Sequence, residues 1–154
     1  MSSVGKIKSS AALFDRALRA LLYNARVAQH FASVLVVEDD RDIREAVSAM
    51  LEAEGYVVLT AENGEDALAI LARGQPCVVL LDLMMPVMNG WDFMRAMKED
   101  RRLEDIPVVV CSAYTERPAT GVRRVLKKPL DVNKLLAAVA EYCCCPPRPA
   151  HVHH

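Results

Sequence analysis

Acidic side chains follow two of the apolar runs in this chain. The run at 34–37 ends at Glu38 and Asp39, and the run at 78–81 ends at Asp82. Short runs rich in Val and Leu are typical of buried strands in a parallel sheet. A carboxylate at the end of a buried strand is costly unless a cation, a hydrogen-bond network or its own chemistry compensates it. Three such carboxylates together predict a binding site for a hard divalent cation. Mg²⁺ is the cation that fits, because its usual ligands are one or two carboxylates, water and phosphoryl oxygens.

Two further predicted strands end at other polar side chains. The apolar run at 108–111 is followed by Ser112, and a poorer strand with the sequence VRRVL at 122–126 is followed by Lys127 and Lys128. An ammonium group and a hydroxyl group both donate hydrogen bonds to phosphoryl oxygens. Together with the acids they suit phosphoryl transfer, in which catalysis consists mainly of positioning and charge stabilisation. The predicted nucleophile is a carboxylate oxygen of Asp82, which would form an aspartyl-phosphate. Lys127 is interpreted as a solvated neighbour of Lys128.

The segments that must position these side chains alternate between strand and helix. Apolar residues recur at helical spacing after the strands, and Gly55, Asn63 and Asp131 stand where helices end or begin. This alternation predicts an α/β fold with a doubly wound parallel sheet and helices on both faces. Functional groups in such sheets gather beyond the carboxyl ends of the strands. We therefore expect the acids, the serine and the lysine to meet at one edge of the sheet.

Four segments also carry a family resemblance. They are VLVVEDDRDIREAV, LLDLMMPVMNG, SA and KKP, in this order along the chain. They resemble the receiver domain of two-component response regulators, the CheY-like superfamily, over residues 34–142. The resemblance implies a flavodoxin-like, five-stranded sheet of order 2-1-3-4-5. It also implies that a histidine kinase or a histidine phosphotransfer protein donates a phosphoryl group, and that an unidentified downstream protein reads the signal.

The resemblance assigns roles to the acidic residues. Asp82 resembles the phosphoacceptor, and Glu38 and Asp39 resemble the acid pair that holds Mg²⁺ with it. The backbone carbonyl of Met84 resembles the remaining protein ligand. Asp40, which follows the pair, is interpreted as an ordinary loop acid.

It assigns roles to the serine and the lysine as well. Ser112 resembles the hydroxyl that follows the phosphoryl group, and Lys128 resembles the family's lysine, with a cis bond into Pro129. The implied protein is not an enzyme in the usual sense, because it catalyses only its own phosphorylation and dephosphorylation.

The sequence departs from the family in two places that bear on output. Val125 stands where receivers usually carry an aromatic switch residue, which puts the usual hydroxyl-to-aromatic coupling in doubt. Only YTERPATG separates the fourth and fifth strands. Eight residues including Pro and Gly allow about two helical turns at most, so the family's fourth helix is predicted to be truncated or missing. Met84 and Tyr114 flank the expected site, and their bulk predicts slow autodephosphorylation.

Charge and composition exclude other classes of protein. The net charge is −1, with +4 on residues 1–33 and −5 on the remainder, so the whole molecule lacks the footprint of a nucleic-acid or membrane protein. The five cysteines have no framework spacing, which favours a reducing compartment and a cytoplasmic location. An organelle transit peptide at the Ser-rich N-terminus is the alternative considered.

Three regions are predicted along the chain. Residues 1–33 form a basic amphipathic helical extension, which could pack on the domain or pair with a second copy to form a homodimer. Residues 34–142 form the receiver domain. Residues 143–154, rich in Cys, Pro and His, form a disordered tail.

The leading interpretation is a stand-alone receiver without a DNA-binding output domain. An interaction-only pseudo-receiver is the first alternative, and the complete set of site residues disfavours it. A Mg²⁺-dependent aspartyl-phosphate phosphatase is the second. Such enzymes typically carry a general acid–base two residues after the nucleophile, and that position here is Met84.

Overall fold

The protein folds around one parallel β-sheet. A computed structural model describes residues 33–114 and 121–143. The five strands lie in the order β2-β1-β3-β4-β5, and every neighbouring pair is parallel. The strands are β1 (Ser33–Val37), β2 (Val57–Ala61), β3 (Val78–Leu81), β4 (Val108–Ser112) and β5 (Arg124–Lys127). The predicted fold class and strand order are confirmed.

Four helices connect or follow these strands within the described residues. They are α1 (Arg41–Ala53), α2 (Gly64–Leu71), α3 (Gly90–Glu99) and α4 (Val132–Tyr142). Asp40, Asn63, Asn89 and Asp131 cap their first turns, and each side chain accepts hydrogen bonds from backbone N–H groups that the helix leaves free. Asp40 therefore has the structural role expected of a loop acid.

Two apolar clusters cover the two faces of the sheet. Alternate residues along each strand point to opposite faces, so neighbours such as Val36 and Val37 belong to different clusters. The cluster on one face contains residues of α2 and α3, including Phe93, which is fully buried. The cluster on the other face contains residues of α1 and α4, including Leu135. The sheet is thus held rigidly between two helical layers.

The strand register brings the polar ends of the strands to one edge. Val37 is paired with Leu81, so Glu38 and Asp82 leave adjacent strands at the same level. Ser112 is paired with Lys127 on the other side of β4. The edge of the sheet at the carboxyl ends of the strands therefore carries the predicted polar residues.

The predictions about the β4–β5 connection and about the two ends of the chain have separate outcomes. No helix occurs between β4 and β5 at 113–114 or 121–123, which agrees with a truncated or missing helix, while residues 115–120 lie outside the described residues. The predicted N-terminal helix and most of the tail also lie outside them. The assignment of Cys143 to the tail is wrong, because Cys143 is buried, caps α4 and is bonded to Cys77. In the described ranges, no helix has the length and apolar character needed to cross a membrane.

Candidate functional site

Three carboxylates meet at the carboxyl edge of the sheet. Glu38, Asp39 and Asp82 each place an oxygen within 4.8 Å of the others. Backbone hydrogen bonds fix the two strand ends, since the Glu38 N–H donates to the Ala61 carbonyl at 3.1 Å and the Asp82 N–H donates to the Val37 carbonyl at 2.9 Å. Glu38 and Asp82 are buried, whereas Asp39 is exposed. The cluster therefore has a buried floor and one side open to solvent.

The ammonium group of Lys128 faces two of these acids. Its Nζ lies 2.6 Å from Oε2 of Glu38 and 3.5 Å from Oδ2 of Asp82. The Lys128 N–H donates to the Ser112 carbonyl at 3.1 Å, and a cis bond joins Lys128 to Pro129, as predicted. Residues 90 positions apart in sequence are thus brought into direct ion pairing.

Burial and charge perturb both partners of this pair. Burial raises the pKa of Glu38, and the charge of Asp82 adds to the increase, although the hydrogen bond from Lys128 opposes it. Burial alone would lower the pKa of Lys128, but the hydrogen bond to Glu38 and the charges of Asp82 and Glu38 outweigh it and raise that pKa. The lysine is therefore held cationic beside more negative charge than it can neutralise.

Ser112 ends β4 and is fully buried. Its hydroxyl oxygen accepts a hydrogen bond from the Tyr114 N–H at 3.1 Å. Among the described residues, the Ser112 side chain makes no other hydrogen bond. The structure brings Ser112 to the expected edge, and within the described residues its side chain makes no hydrogen bond to the carboxylates.

Both residues predicted to flank the site are exposed. Met84 is 53% exposed and Tyr114 is 65% exposed, and slow autodephosphorylation stays a prediction. Met84 contacts the site through its backbone N–H, 3.4 Å from Oδ1 of Asp82. Val125, at the position usually occupied by an aromatic residue, is itself 42% exposed.

Arg44 is a site residue that the sequence analysis missed. Its guanidinium donates to the backbone carbonyls of Glu38 at 2.7 Å and Asp39 at 3.2 Å, and pairs with Glu62 at 3.0 Å. It thereby holds the loop between β1 and α1 against the end of β2. Helix-dipole mismatch would not have identified Arg44, because Arg41 lies nearer the same helix N-terminus.

Gly90 brings α3 close to the strand end that carries Asp82. A Cβ atom at Gly90 would lie 2.7 Å from the Asp82 carbonyl oxygen and 2.8 Å from Cα of Leu83. The Gly90 N–H also donates to the Leu83 carbonyl at 3.0 Å. The glycine in the MNG segment is therefore required for close approach of two backbone segments.

The donor set fits a hard divalent cation. The cluster has three carboxylates, and the ammonium group of Lys128 pairs with two of them, so the cluster carries excess negative charge that such a cation would compensate. Carboxylate oxygens are the ligands that Mg²⁺ prefers, and the exposed side at Asp39 admits the waters that this ion retains. The residues present therefore suit Mg²⁺.

Comparison with known proteins agrees with this geometry. The family model described as the response regulator receiver domain matches residues 34–140. The chain belongs to this family. As a receiver domain it is a module of two-component signalling.

Several individual proteins are similar to this receiver domain. Protein PilH of Pseudomonas aeruginosa is 34% identical over 114 residues, which are 70% of this chain and 94% of PilH. The crystal structure of chemotaxis protein CheY4 of Vibrio cholerae is 32% identical, with a TM-score of 0.67 over 73% of this chain and 98% of CheY4. The response regulator TrrA of Thermotoga maritima, solved in complex with Mg²⁺-BeF, is 28% identical, with a TM-score of 0.66 over 73% of this chain and 99% of TrrA.

Proposed function

We propose that this receiver domain accepts a phosphoryl group on Asp82 from a histidine kinase or a histidine phosphotransfer protein. The observation that carries the proposal is the cluster of Glu38, Asp39 and Asp82 with the ammonium group of Lys128 at its edge. It combines a buried carboxylate nucleophile, a set of cation ligands and a fixed positive charge.

The reaction is a transfer between two protein side chains. A carboxylate oxygen of Asp82 attacks the phosphorus of a phosphohistidine, the P–O bond forms, and the P–N bond breaks as its electron pair returns to the imidazole. Lys128 is positioned to stabilise charge on a phosphoryl oxygen. Ser112, at the end of the adjacent strand, would supply a neutral donor through its hydroxyl hydrogen, because the bond from the Tyr114 N–H uses only the hydroxyl oxygen as acceptor.

Glu38, Asp39 and Asp82 would hold Mg²⁺, with the Met84 carbonyl as the proposed fourth protein ligand. A bound Mg²⁺ would neutralise negative charge shared by the acceptor and the phosphoryl oxygens. TrrA, which is similar to this chain, was solved with Mg²⁺-BeF. That likeness supports the proposal.

An apolar groove beside the site suits a protein donor. The groove, called here the α1–α4 groove, has a volume of about 540 Å³. Its lining includes Ile43, Ala46, Met50, Pro129, Leu130 and Val132, and it also includes Lys128, which faces the carboxylates. A donor helix bound there would lie next to the acceptor, so we propose the groove as the approach surface for the phosphodonor.

We further propose that the protein works in the cytoplasm as a stand-alone phosphorelay component, not as a turnover enzyme or a nucleic-acid-binding protein. The match to PilH covers 94% of that protein, which supports a role that needs little beyond the receiver. Homodimerisation through residues 1–33 stays a prediction. Those residues lie outside the described part of the chain, apart from Ser33.

The test is incubation with acetyl phosphate and Mg²⁺ followed by intact mass. We expect the chain to gain one phosphoryl group, the gain to require Mg²⁺, and Asp82→Asn to abolish it. Asp42→Asn is the matched control, because Asp42 is an exposed acid in the first turn of α1 and should leave the gain intact. No mass gain would favour a pseudo-receiver. Release of phosphate from an ester substrate such as p-nitrophenyl phosphate would favour a phosphatase.

A further inference from the structure

Two cysteines lie together at the edge of the sheet opposite the acidic cluster. Cys77 immediately precedes β3, and Cys143 caps the end of α4. Their sulfurs are bonded and their Cα atoms are 5.3 Å apart, although the residues are 66 positions apart in sequence. The bond therefore ties the last helix to the beginning of a central strand.

The surroundings of Cys77 also accommodate a free thiol. Its sulfur lies 3.1 Å from the carbonyl oxygen of Ser33, and its backbone N–H donates to the same carbonyl at 2.9 Å. A disulfide sulfur has no hydrogen to donate, whereas a thiol at this position has an acceptor within reach. The sulfur of a reduced Cys77 would therefore have a hydrogen-bond acceptor in the Ser33 carbonyl.

We propose that Cys77 and Cys143 form a reversible redox pair whose disulfide fastens the C-terminal end of α4 to the beginning of β3. The inference goes beyond the proposed phosphoryl transfer and uses none of its residues. In a reducing compartment such bonds are transient, so this one would form when the thiol–disulfide balance becomes oxidising.

Glutathione disulfide is a suitable oxidant for forming this disulfide. The Cys77 thiolate attacks one sulfur of glutathione disulfide, forming a mixed disulfide and releasing one glutathione thiolate. The Cys143 thiolate then attacks the Cys77 sulfur and releases the second glutathione. Two protein thiols and one glutathione disulfide thus give one protein disulfide and two glutathione molecules, with the protons exchanged through water.

Exposure and proximity decide which thiols react. Cys77 is half-buried, so an oxidant can reach it, whereas Cys143 is buried against the domain as the resolving partner. Burial raises the pKa of the Cys111 thiol to about 12, which leaves that cysteine protonated and unreactive at neutral pH. Cys144 and Cys145, which follow Cys143 in the sequence, are the competitors that a test must separate.

Fastening α4 has a consequence for the rest of the domain. Its N-cap, Asp131, follows Lys128 and Pro129 by only a few residues. The side chains of Leu135, Ala138 and Val139 pack into the cluster shared with α1. A bond at the far end of α4 would suppress fraying of the helix and fix its position on the sheet.

The test compares one protein in two oxidation states. The reduced full chain is equilibrated with a glutathione/glutathione disulfide mixture and quenched. Intact mass, peptide mapping and amide hydrogen exchange follow. We expect the loss of two hydrogens, a link between the peptides containing Cys77 and Cys143, and exchange of the α4 amides slowed by about tenfold or more.

The variants separate this pairing from its competitors. Cys77→Ser should lose both the link and the slowed exchange, whereas the double variant Cys144→Ser/Cys145→Ser should retain both. A Cys77 link to Cys144 or Cys145 would overturn the proposal, and so would a glutathione adduct that never resolves or equal α4 exchange in the two states. The two-state comparison within the unmodified chain needs no variant to fold, and phosphorylation of Asp82 is tested separately.

Discussion

At the level of single residues, the site contains more carboxylate charge than the one nearby ammonium group can neutralise. Glu38 and Asp82 are both buried. The Nζ atom of Lys128 lies 2.6 Å from a carboxylate oxygen of Glu38 and 3.5 Å from one of Asp82. The shorter distance means that Lys128 neutralises the charge of Glu38 more effectively than that of Asp82. An acceptor in that state is available both to a cation and to a phosphoryl group.

Removing the charge of Asp82 and removing the charge of Lys128 should change stability in opposite directions. Without divalent cations, Asp82→Asn is expected to raise the free energy of unfolding by about 1 kcal/mol, because one of two crowded carboxylates disappears. Lys128→Met is expected to lower it by about 2 kcal/mol, because two buried acids then lack their cation. Urea unfolding in the presence of a chelator measures both. Shifts in the same direction would refute this account of the cluster.

Asp39 allows the metal site to be tested without disturbing the buried floor. Asp39→Asn removes one charged oxygen ligand at an exposed position, so the Mg²⁺ dissociation constant should rise about tenfold, which corresponds to about 1.4 kcal/mol. Isothermal titration calorimetry with MgCl₂ gives the value. Asp42→Asn changes the net charge equally and should leave the constant nearly unchanged. Equal weakening in both variants would mean that general electrostatics, not ligation, binds the ion.

At the element scale, the position of α3 determines where the end of β3 lies. Asn89 caps α3 by accepting from the Asp92 N–H, and Gly90 lets the first turn approach the backbone of Asp82 and Leu83. The approach is between main-chain atoms, which cannot move aside as a flexible side chain can. The helix is therefore packed directly against the strand end that carries the acceptor.

Gly90→Ala should consequently destabilise the protein despite the higher helix propensity of Ala. Propensity favours Ala by up to about 1 kcal/mol, but contacts of 2.7 and 2.8 Å with backbone atoms force a shift. We expect a net loss of about 2 kcal/mol in the free energy of unfolding, with slower phosphorylation by acetyl phosphate. Gly74→Ala is the matched control, because nothing lies within 4 Å of its added Cβ. A loss for Gly74→Ala as large as that for Gly90→Ala would contradict the close-approach argument.

At the scale of the whole molecule, the sheet and the acidic site could be predicted because they depend on periodic patterns and strand ends. Alternating strands and helices leave few topologies, and parallel strands bring their carboxyl ends to one edge. Glu38, Asp82 and Lys128 could therefore be predicted together.

What could not be predicted depends on contacts without a periodic signal. Arg44 acts through the backbone carbonyls of Glu38 and Asp39, and Cys143 meets Cys77 across the fold. The exposure of Met84 and Tyr114 likewise depends on loop conformation, which side-chain bulk alone does not determine.

A substitution in the α1–α4 groove should distinguish a protein phosphodonor from a small-molecule phosphodonor. Ala46 is exposed on α1 and lines the groove, whereas Ala49 is exposed on the same helix and does not line it. Ala46→Arg places a long charged side chain in an apolar recess next to Lys128. Transfer from a phosphorylated histidine kinase that serves the unmodified chain should fall about tenfold or more, the effect of losing about 1.4 kcal/mol at a central contact.

Phosphorylation by acetyl phosphate should be unchanged in Ala46→Arg, because a small donor reaches Asp82 from the solvent side without using the groove. Ala49→Arg adds the same charge and bulk to the same helix, so it controls for both and should preserve transfer from either donor. Rates are measured by the appearance of phosphorylated chain under matched Mg²⁺. Equal slowing by Ala46→Arg with both donors would locate the effect in the acceptor site. Unimpaired transfer from the kinase would mean that the donor approaches from another side of the sheet edge.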